Sequence, residues 1–345
     1  MTIKLSSLPL AILLAATLSA CGGGGGGGTS SAAAPTNPTP TPPAPTPVAQ
    51  NLQAAVAPTY AANSEELGFF NAINAFRTAE GLGPLNQNPC YDKAAAAHYN
   101  YEMLNIASQG ESHYEVSGSP GFTGVAPSDR LTAQGCVFTA ASEVIGGPLT
   151  VALGQPGVGA DSARGLIDSV YHRADLMYQG LTDIGIAVGT STSAPFTIAD
   201  IGYKNPQINS GSYFGTYPVA NQSGVRLSAV EEIPNPFPSS VTNVSSQTGY
   251  PISVASQAST TLTVTTFTVT QAGSSKPMAT YPIYTDQDPN LAGSINLAFL
   301  VTTQAFLPNT TYTVHFVGTI TGTATGSSKG IAVDQTWGFT TGSGN

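Results

Sequence analysis

The chain has four histidines, and one of them stands in the short run "DSVYHRADLM", where His172 is set between apolar positions that read as helix. Imidazole changes charge near neutral pH and is the commonest metal ligand. A histidine held there is therefore either a group lining a cleft or a structural residue with both ring nitrogens satisfied. His98 falls in "AAAAHYNYEM" and reads as helix packing. His315 alternates with Tyr312, Val314 and Phe316, so it points from the opposite strand face into solvent. The serines show no GxSxG elbow. Asp286 and Asp288 in "YTDQDPN" permit a Ca²⁺ reading, against which stands the simpler one of an exposed turn.

The elements that must position these residues change character along the chain. A helix opens at Ser64, whose hydroxyl can cap, with Glu65 and Glu66 in the positive first turn. Leu67, Phe70, Ile73, Asn74 and Phe76 make its stripe, and Gly81 ends it. A second helix runs from about Tyr91 to Ala107, followed by a Gly/Ser/Pro-rich loop to Asp129 and a helical segment from about Ser162 to Met177. "TDIGIAVG" and "FTIADIGY" are strand-like stretches joined by a polar turn and read as a hairpin. Helices with a small antiparallel sheet make an α+β domain.

The N-terminus carries Lys4, an apolar run from Leu10 to Leu18, and then Ser19-Ala20-Cys21. The run is short of the roughly 20 residues a membrane span needs, so it reads as a removed export signal. Its ending resembles the lipobox of bacterial lipoproteins, which implies a signal peptide over 1–21 and lipid on Cys21. Gly22, where aspartate would mark retention in the inner membrane of enteric bacteria, favours the outer membrane. Residues 22–60, a glycine run followed by "PTNPTPTPPAPTPVAQ", read as a disordered stalk. With Cys21 lipidated, Cys90 and Cys136 remain as an even pair in an oxidising compartment, and a disulfide between them is expected over two buried thiols. No cysteine is then left for a Cys/His dyad. Charged residues are 8% of the chain and its net charge is −9, which removes the basic footprint a nucleic-acid partner needs.

Five segments in order carry a resemblance: "FFNAINAFRTAEGLGPL", "ESHYE", "APSDRLTAQGC", "ASEVIGG" and "LIDSVYHRADLMYQGLTDIGIAVG". Together, over residues 62–204, they resemble the CAP superfamily of cysteine-rich secretory, antigen 5 and pathogenesis-related 1 proteins, in its bacterial type. The resemblance implies an α/β/α sandwich with a cleft lined by two histidines and two acids, carried over here as His113, Glu143 and His172. The fourth position departs: Ser169 stands where plant and animal members have Glu, Leu166 where they have Trp, and Val144 replaces the Asn after the cleft glutamate. Asp168, Glu115 and Glu111 are acids near in sequence that could substitute, although helical geometry turns Asp168 roughly 100° from Ser169. Two imidazoles and a carboxylate can ligate Zn²⁺ with Glu143 as base, or satisfy one another as a polar network without metal. Arg130 reads as pairing with an acid or a loop carbonyl, and Asp129 likewise.

From about Tyr213 the chain turns to Thr, Ser, Val, Gly and Pro. "TTLTVTTFTVT" and "TTYTVHFVG" alternate with period two, the first slipping between Val264 and Phe267 as a bulge would make it. "LPNTTYTVHF" and "TWGFTTG" resemble the last strands of bacterial Ig-like domains, with Trp337 and Phe339 on one face, so residues 213–345 are expected to form an all-β sandwich. "TYPVANQSGVRLSAVEEIPNPFP" is either its first strand or an irregular connector. Three functions follow as expectations: a lipid-anchored envelope protein whose CAP domain binds a small apolar or amphipathic ligand or a protein partner, with the sandwich as spacer; a zinc-dependent hydrolase or peptidase using His113 and His172; and a surface adhesion protein.

Overall fold

The computed structural model describes residues 48–190 and 195–344. The signal segment, Cys21 and the expected stalk up to residue 47 lie outside the described residues. Residues 48–60, which composition assigns to the stalk, are instead docked on the body. Gly211 N–H donates to the Val48 carbonyl at 2.9 Å and Val48 N–H to the Ala324 carbonyl at 2.8 Å, Asn51 bridges Ile208, and the Tyr60 hydroxyl donates to Asp92 at 2.6 Å. The stalk boundary is corrected to that extent, because backbone groups that find partners do not stay a free tether.

Helix α1 (Glu65–Ala79) is capped as its sequence suggests, Ser64 Oγ accepting from Leu67 N–H at 3.2 Å. It is followed by β1 (Asn86–Gln87), α2 (Pro89–Gln109), α3 (Pro127–Ala133), β2 (Ala140–Gly146), α4 (Val158–Ile167), α5 (Tyr171–Leu176), β3 (Asp183–Val188) and β4 (Thr197–Tyr203). The four strands lie in the order β1-β3-β4-β2, antiparallel except for β1 beside β3. Alternation then decides the layers. Ile184, Ile201 and Val144 face Phe69, Ile73 and Ile167 of α1 and α4, whereas Ile198 and Ile145 face Ala95 of α2. The result is the expected α/β/α arrangement. Close approach of α2 to the sheet depends on Gly185, where a Cβ would fall 2.1 Å from the Tyr91 carbonyl carbon. The Cys90–Cys136 disulfide ties the start of α2 to the end of α3.

The segment read as one helix from Ser162 to Met177 is two, α4 and α5, interrupted at Asp168–Val170. The Val170 and Tyr171 N–H groups, which would continue the α4 ladder, donate instead to the Glu232 carboxylate at 2.6 and 2.9 Å. Ser169 Oγ donates to the Leu166 carbonyl at 2.8 Å, a side-chain bond that competes with helical pairing.

The C-terminal part begins with β5 (Phe214–Tyr217) and an irregular connector, then α6 (Val244–Gln247), β6 (Ile252–Ser256), β7 (Thr261–Gln271), β8 (Leu297–Leu300), β9 (Thr311–Thr321) and β10 (Ile331–Thr340). Two antiparallel three-stranded sheets result, β10-β9-β7 and β5-β6-β8, consistent with the expected Ig-like region. The β7 register shifts between Val264 and Thr266, where the alternation slips. Tyr312, Val314, Phe316 and Ile320 are buried, while His315 on the other face pairs with Asp334 at 3.0 Å. The apolar core runs continuously from Phe69 and Ile184 through Tyr217 and Tyr250 to Phe316 and Trp337, so both parts of the chain share one interior.

Candidate functional site

Helix α5 presents two neighbours in opposite directions. Arg173 is buried, donating to the carbonyls of Ile167 and Pro251 at 2.6 Å each. His172 is partly exposed, with Nδ1 3.1 Å from Glu232 Oε2 and 3.2 Å from Ser169 Oγ. A serine and an acid approaching the same ring nitrogen do not make a relay, which needs them on opposite nitrogens. Ser169 is therefore a support for His172, buried behind it.

His113 lies in the loop between α2 and α3, its side chain 37% exposed, with Nδ1 3.0 Å from Glu143 Oε1. Glu143 is placed by β2, directly opposite Asp200 of β4. Its Oε2 accepts from Arg130 Nη2 at 2.6 Å, and Arg130 Nη1 donates to the His113 carbonyl at 3.0 Å. His98 stands behind, fully buried, with Nδ1 on Glu115 Oε1 and Nε2 on the Ser112 carbonyl, both at 3.0 Å. Glu115 also accepts from the Thr123 hydroxyl and the Gly124 N–H. One exposed imidazole thus rests on a buried, hydrogen-bonded bed of Glu143, Arg130, His98 and Glu115. Asp129 accepts from Ala126 N–H and holds the start of α3.

His113 and His172 line one cavity of about 820 Å³, together with Glu111, Tyr114, Ile145, residues 231–235, Val241 and Val244. Glu143 and Ser169 do not line it; each holds an imidazole from behind. Of the acids near in sequence, Glu111 faces the cavity. Burial pushes its carboxyl up, against the pull of His113 and His172. Asp168 turns to the C-terminal part, where Tyr250 donates to it at 2.8 Å and Arg226 lies 3.3 Å away; its carboxyl is pushed up to about 6, chiefly by burial. The acid that meets His172 is Glu232, which the sequence reading did not single out. A pair of glutamates in a stretch without periodicity, in a chain only 8% charged, was its sole signal. The connector carrying it, and with it the part expected as a spacer, forms much of the cavity wall.

The residues of the zinc reading are not gathered as a donor set among the described residues. Both Glu143 oxygens are engaged by His113 and Arg130, and among the described residues no three of His, Cys, Asp or Glu are grouped so as to hold a metal ion. The Asp286/Asp288 stretch is a turn in which Asp288 accepts from the Tyr171 hydroxyl at 2.9 Å. Also among the described residues, no helix is long and apolar enough to cross a membrane.

Residues 70–201 match the family model described as the cysteine-rich secretory protein family, CAP. Among solved structures, the chain is similar to an extracellular protein containing a SCP domain from Bacillus anthracis str. Ames, at 22% identity and a TM-score of 0.33, over 41% of this chain and 41% of that one. It is also similar to an outer surface protein from Borrelia burgdorferi, at 13% identity and a TM-score of 0.33, over 43% of this chain and 100% of that one. The match thus spans less than half the length of the Bacillus protein. No curated protein matches the chain.

Proposed function

Residues 70–201 are a CAP domain, and from that premise we propose that the chain is an exported, envelope-anchored binding protein whose histidine-lined cavity takes a small amphipathic ligand. Export and anchoring rest on the N-terminal apolar run and the Leu18–Cys21 ending, and agree with a disulfide at Cys90–Cys136. The observation that carries the ligand reading is the cavity itself. At about 820 Å³ it has the size of a small-molecule site, and its lining combines imidazoles and carboxylates with the apolar side chains of Ile145, Val241, Val244 and Ile233. Ile233 is 88% exposed and Tyr114, also in the lining, is 62% exposed, so apolar surface stands ready to be covered.

The test uses the soluble chain from residue 48 onward and an environment-sensitive fluorescent amphiphile. Saturable binding of one probe per chain is expected. Ile233→Asp should weaken it by about tenfold, since burying one such side chain contributes about 1.5–3 kcal/mol. Absence of saturable binding, or equal binding to the Ile233→Asp variant, would overturn the proposal.

A further inference from the structure

We infer that the cavity selects ligands whose head group donates hydrogen bonds, because carboxylates at the Nδ1 of both His113 and His172 fix the imidazoles with Nε2 as acceptor. This rests on the cavity being a binding site and adds the chemistry of what it binds. Glu232 is 8% exposed and reaches α5 from the connector: Oε1 accepts from Val170 N–H at 2.6 Å, and Oε2 from Tyr171 and His172 N–H at 2.9 and 3.3 Å. Three N–H donors stabilise an ionised carboxylate, which can only accept. His172 Nδ1, 3.1 Å from the same Oε2, is therefore a proton-bearing nitrogen, and whenever the ring is neutral that proton sits there. Glu143 does the same to His113 Nδ1 at 3.0 Å, itself kept as an acceptor by Arg130 at 2.6 Å. A neutral imidazole whose Nδ1–H donates carries a lone pair at Nε2. Two such lone pairs, in a cavity that Glu111 and Glu231 also line, suit an alcohol or an amine and repel a carboxylate.

Glu232 is then a positioning residue, holding one ring from outside residues 70–201, and its neighbour Ile233 lines the same cavity and is exposed. The segment that orients the acceptor also supplies apolar lining.

Two measurements on the chain from residue 48 onward test the inference at about pH 8, well above the ordinary imidazole range. Imidazole ¹⁵N shifts should show both His113 and His172 protonated at Nδ1; protonation at Nε2 in both rings would overturn it. Amphiphiles with one tail and three heads should then bind in the order alcohol or amine above carboxylate, by about tenfold or more. Whichever of alcohol and amine leads identifies the head. Equal binding of all three overturns this inference and leaves the binding reading standing, whereas binding of none overturns both. In Glu232→Gln the amide NH₂ can donate to His172 Nδ1 and move the proton to Nε2, so the preference for donor heads should narrow. An unchanged order in a folded Glu232→Gln protein would count against Glu232 as the positioning group, and the wild-type ¹⁵N result decides the tautomer even if that variant does not fold.

Discussion

The Arg173 guanidinium lies 4.8 Å over the ring of Tyr250, and it lies 4.9 and 5.8 Å over those of Tyr217 and Phe299. Arg173 belongs to α5, and all three rings belong to the C-terminal part. The residue next to His172 is therefore the bolt between the two parts of the chain, each ring adding cation–π attraction of about 0.5–2 kcal/mol. Arg173→Ala removes these and leaves the Ile167 and Pro251 carbonyls without their donor. A loss of about 3 kcal/mol or more is expected. Arg173→Lys should recover only part, since an ammonium cannot span two carbonyls and stack at once. Denaturant midpoints of the two variants check this; near-identity of Arg173→Ala with wild type would show that the two parts are held together elsewhere.

The disulfide makes a separate stability prediction. Cys90 and Cys136 close a loop of 46 residues between the start of α2 and the end of α3. Cross-linking a loop of that length restricts the unfolded chain and stabilises by about 2–4 kcal/mol. Replacing both cysteines by serine should lower the melting temperature, and dithiothreitol should lower the wild type to match. A melting temperature indifferent to reductant would mean that α2 and α3 are fixed by packing alone.

Much of this architecture was legible from residue order because the signals are local. Ser64 before two glutamates starts α1, the strand-like stretches "TDIGIAVG" and "FTIADIGY" pair as the β3–β4 hairpin, and the slip after Val264 is the β7 irregularity. What stayed hidden is set by distant groups. The break between α4 and α5 is imposed by a carboxylate 62 residues beyond Val170, and no window on "DSVYHRADLM" contains it. Residues 48–60 have a linker's composition, yet their partners at Asp92, Ile208 and Ala324 are remote in sequence. At the site, His113 and His172 were found through the CAP resemblance. Glu232 was not, because it lies outside residues 70–201 and does its work through three backbone amides rather than a side-chain pattern.

Stability should fall as pH rises from about 5 to 8. Glu102, 1% exposed, is pushed from its ordinary 4.5 to about 7 by burial, with Glu111, Glu143 and Glu115 adding to the effect. Burial likewise takes Glu80 to about 7 and Asp168 to about 6. A carboxyl raised in the folded state binds its proton more tightly there than in the unfolded chain, so its contribution is full below the unfolded value and is lost as pH climbs through the folded one. Asp161 shifts the other way: burial raises its carboxyl, but hydrogen bonds from Leu149, Thr150 and Val151 outweigh this and lower it, so its own window lies below pH 4. Melting temperature measured across the range should decline, and Glu102→Gln should flatten the decline. A wild-type melting temperature that climbs over this interval would refute the assignment.

Glu143 separates a structural role from a chemical one. Its Oε2 and Arg130 Nη2 are 2.6 Å apart with both side chains fully buried, and its Oε1 serves His113. Removing one member of such a pair strands the other's charge away from water. Glu143→Ala should therefore destabilise by about 3–5 kcal/mol, and Arg130→Met by a similar amount. Replacing both by apolar residues of like volume should cost much less than the sum of the single changes, because neither charge is then left alone. Glu143→Gln keeps the shape and an acceptor oxygen for His113 but leaves Arg130 unneutralised, so it should fall between wild type and Glu143→Ala. A denaturant double-mutant cycle at positions 130 and 143 reads the coupling directly. Additive losses would free the Glu143 carboxylate from Arg130 and return it to consideration as a base, whereas strong coupling makes it the fixed support on which the exposed ring of His113 rests.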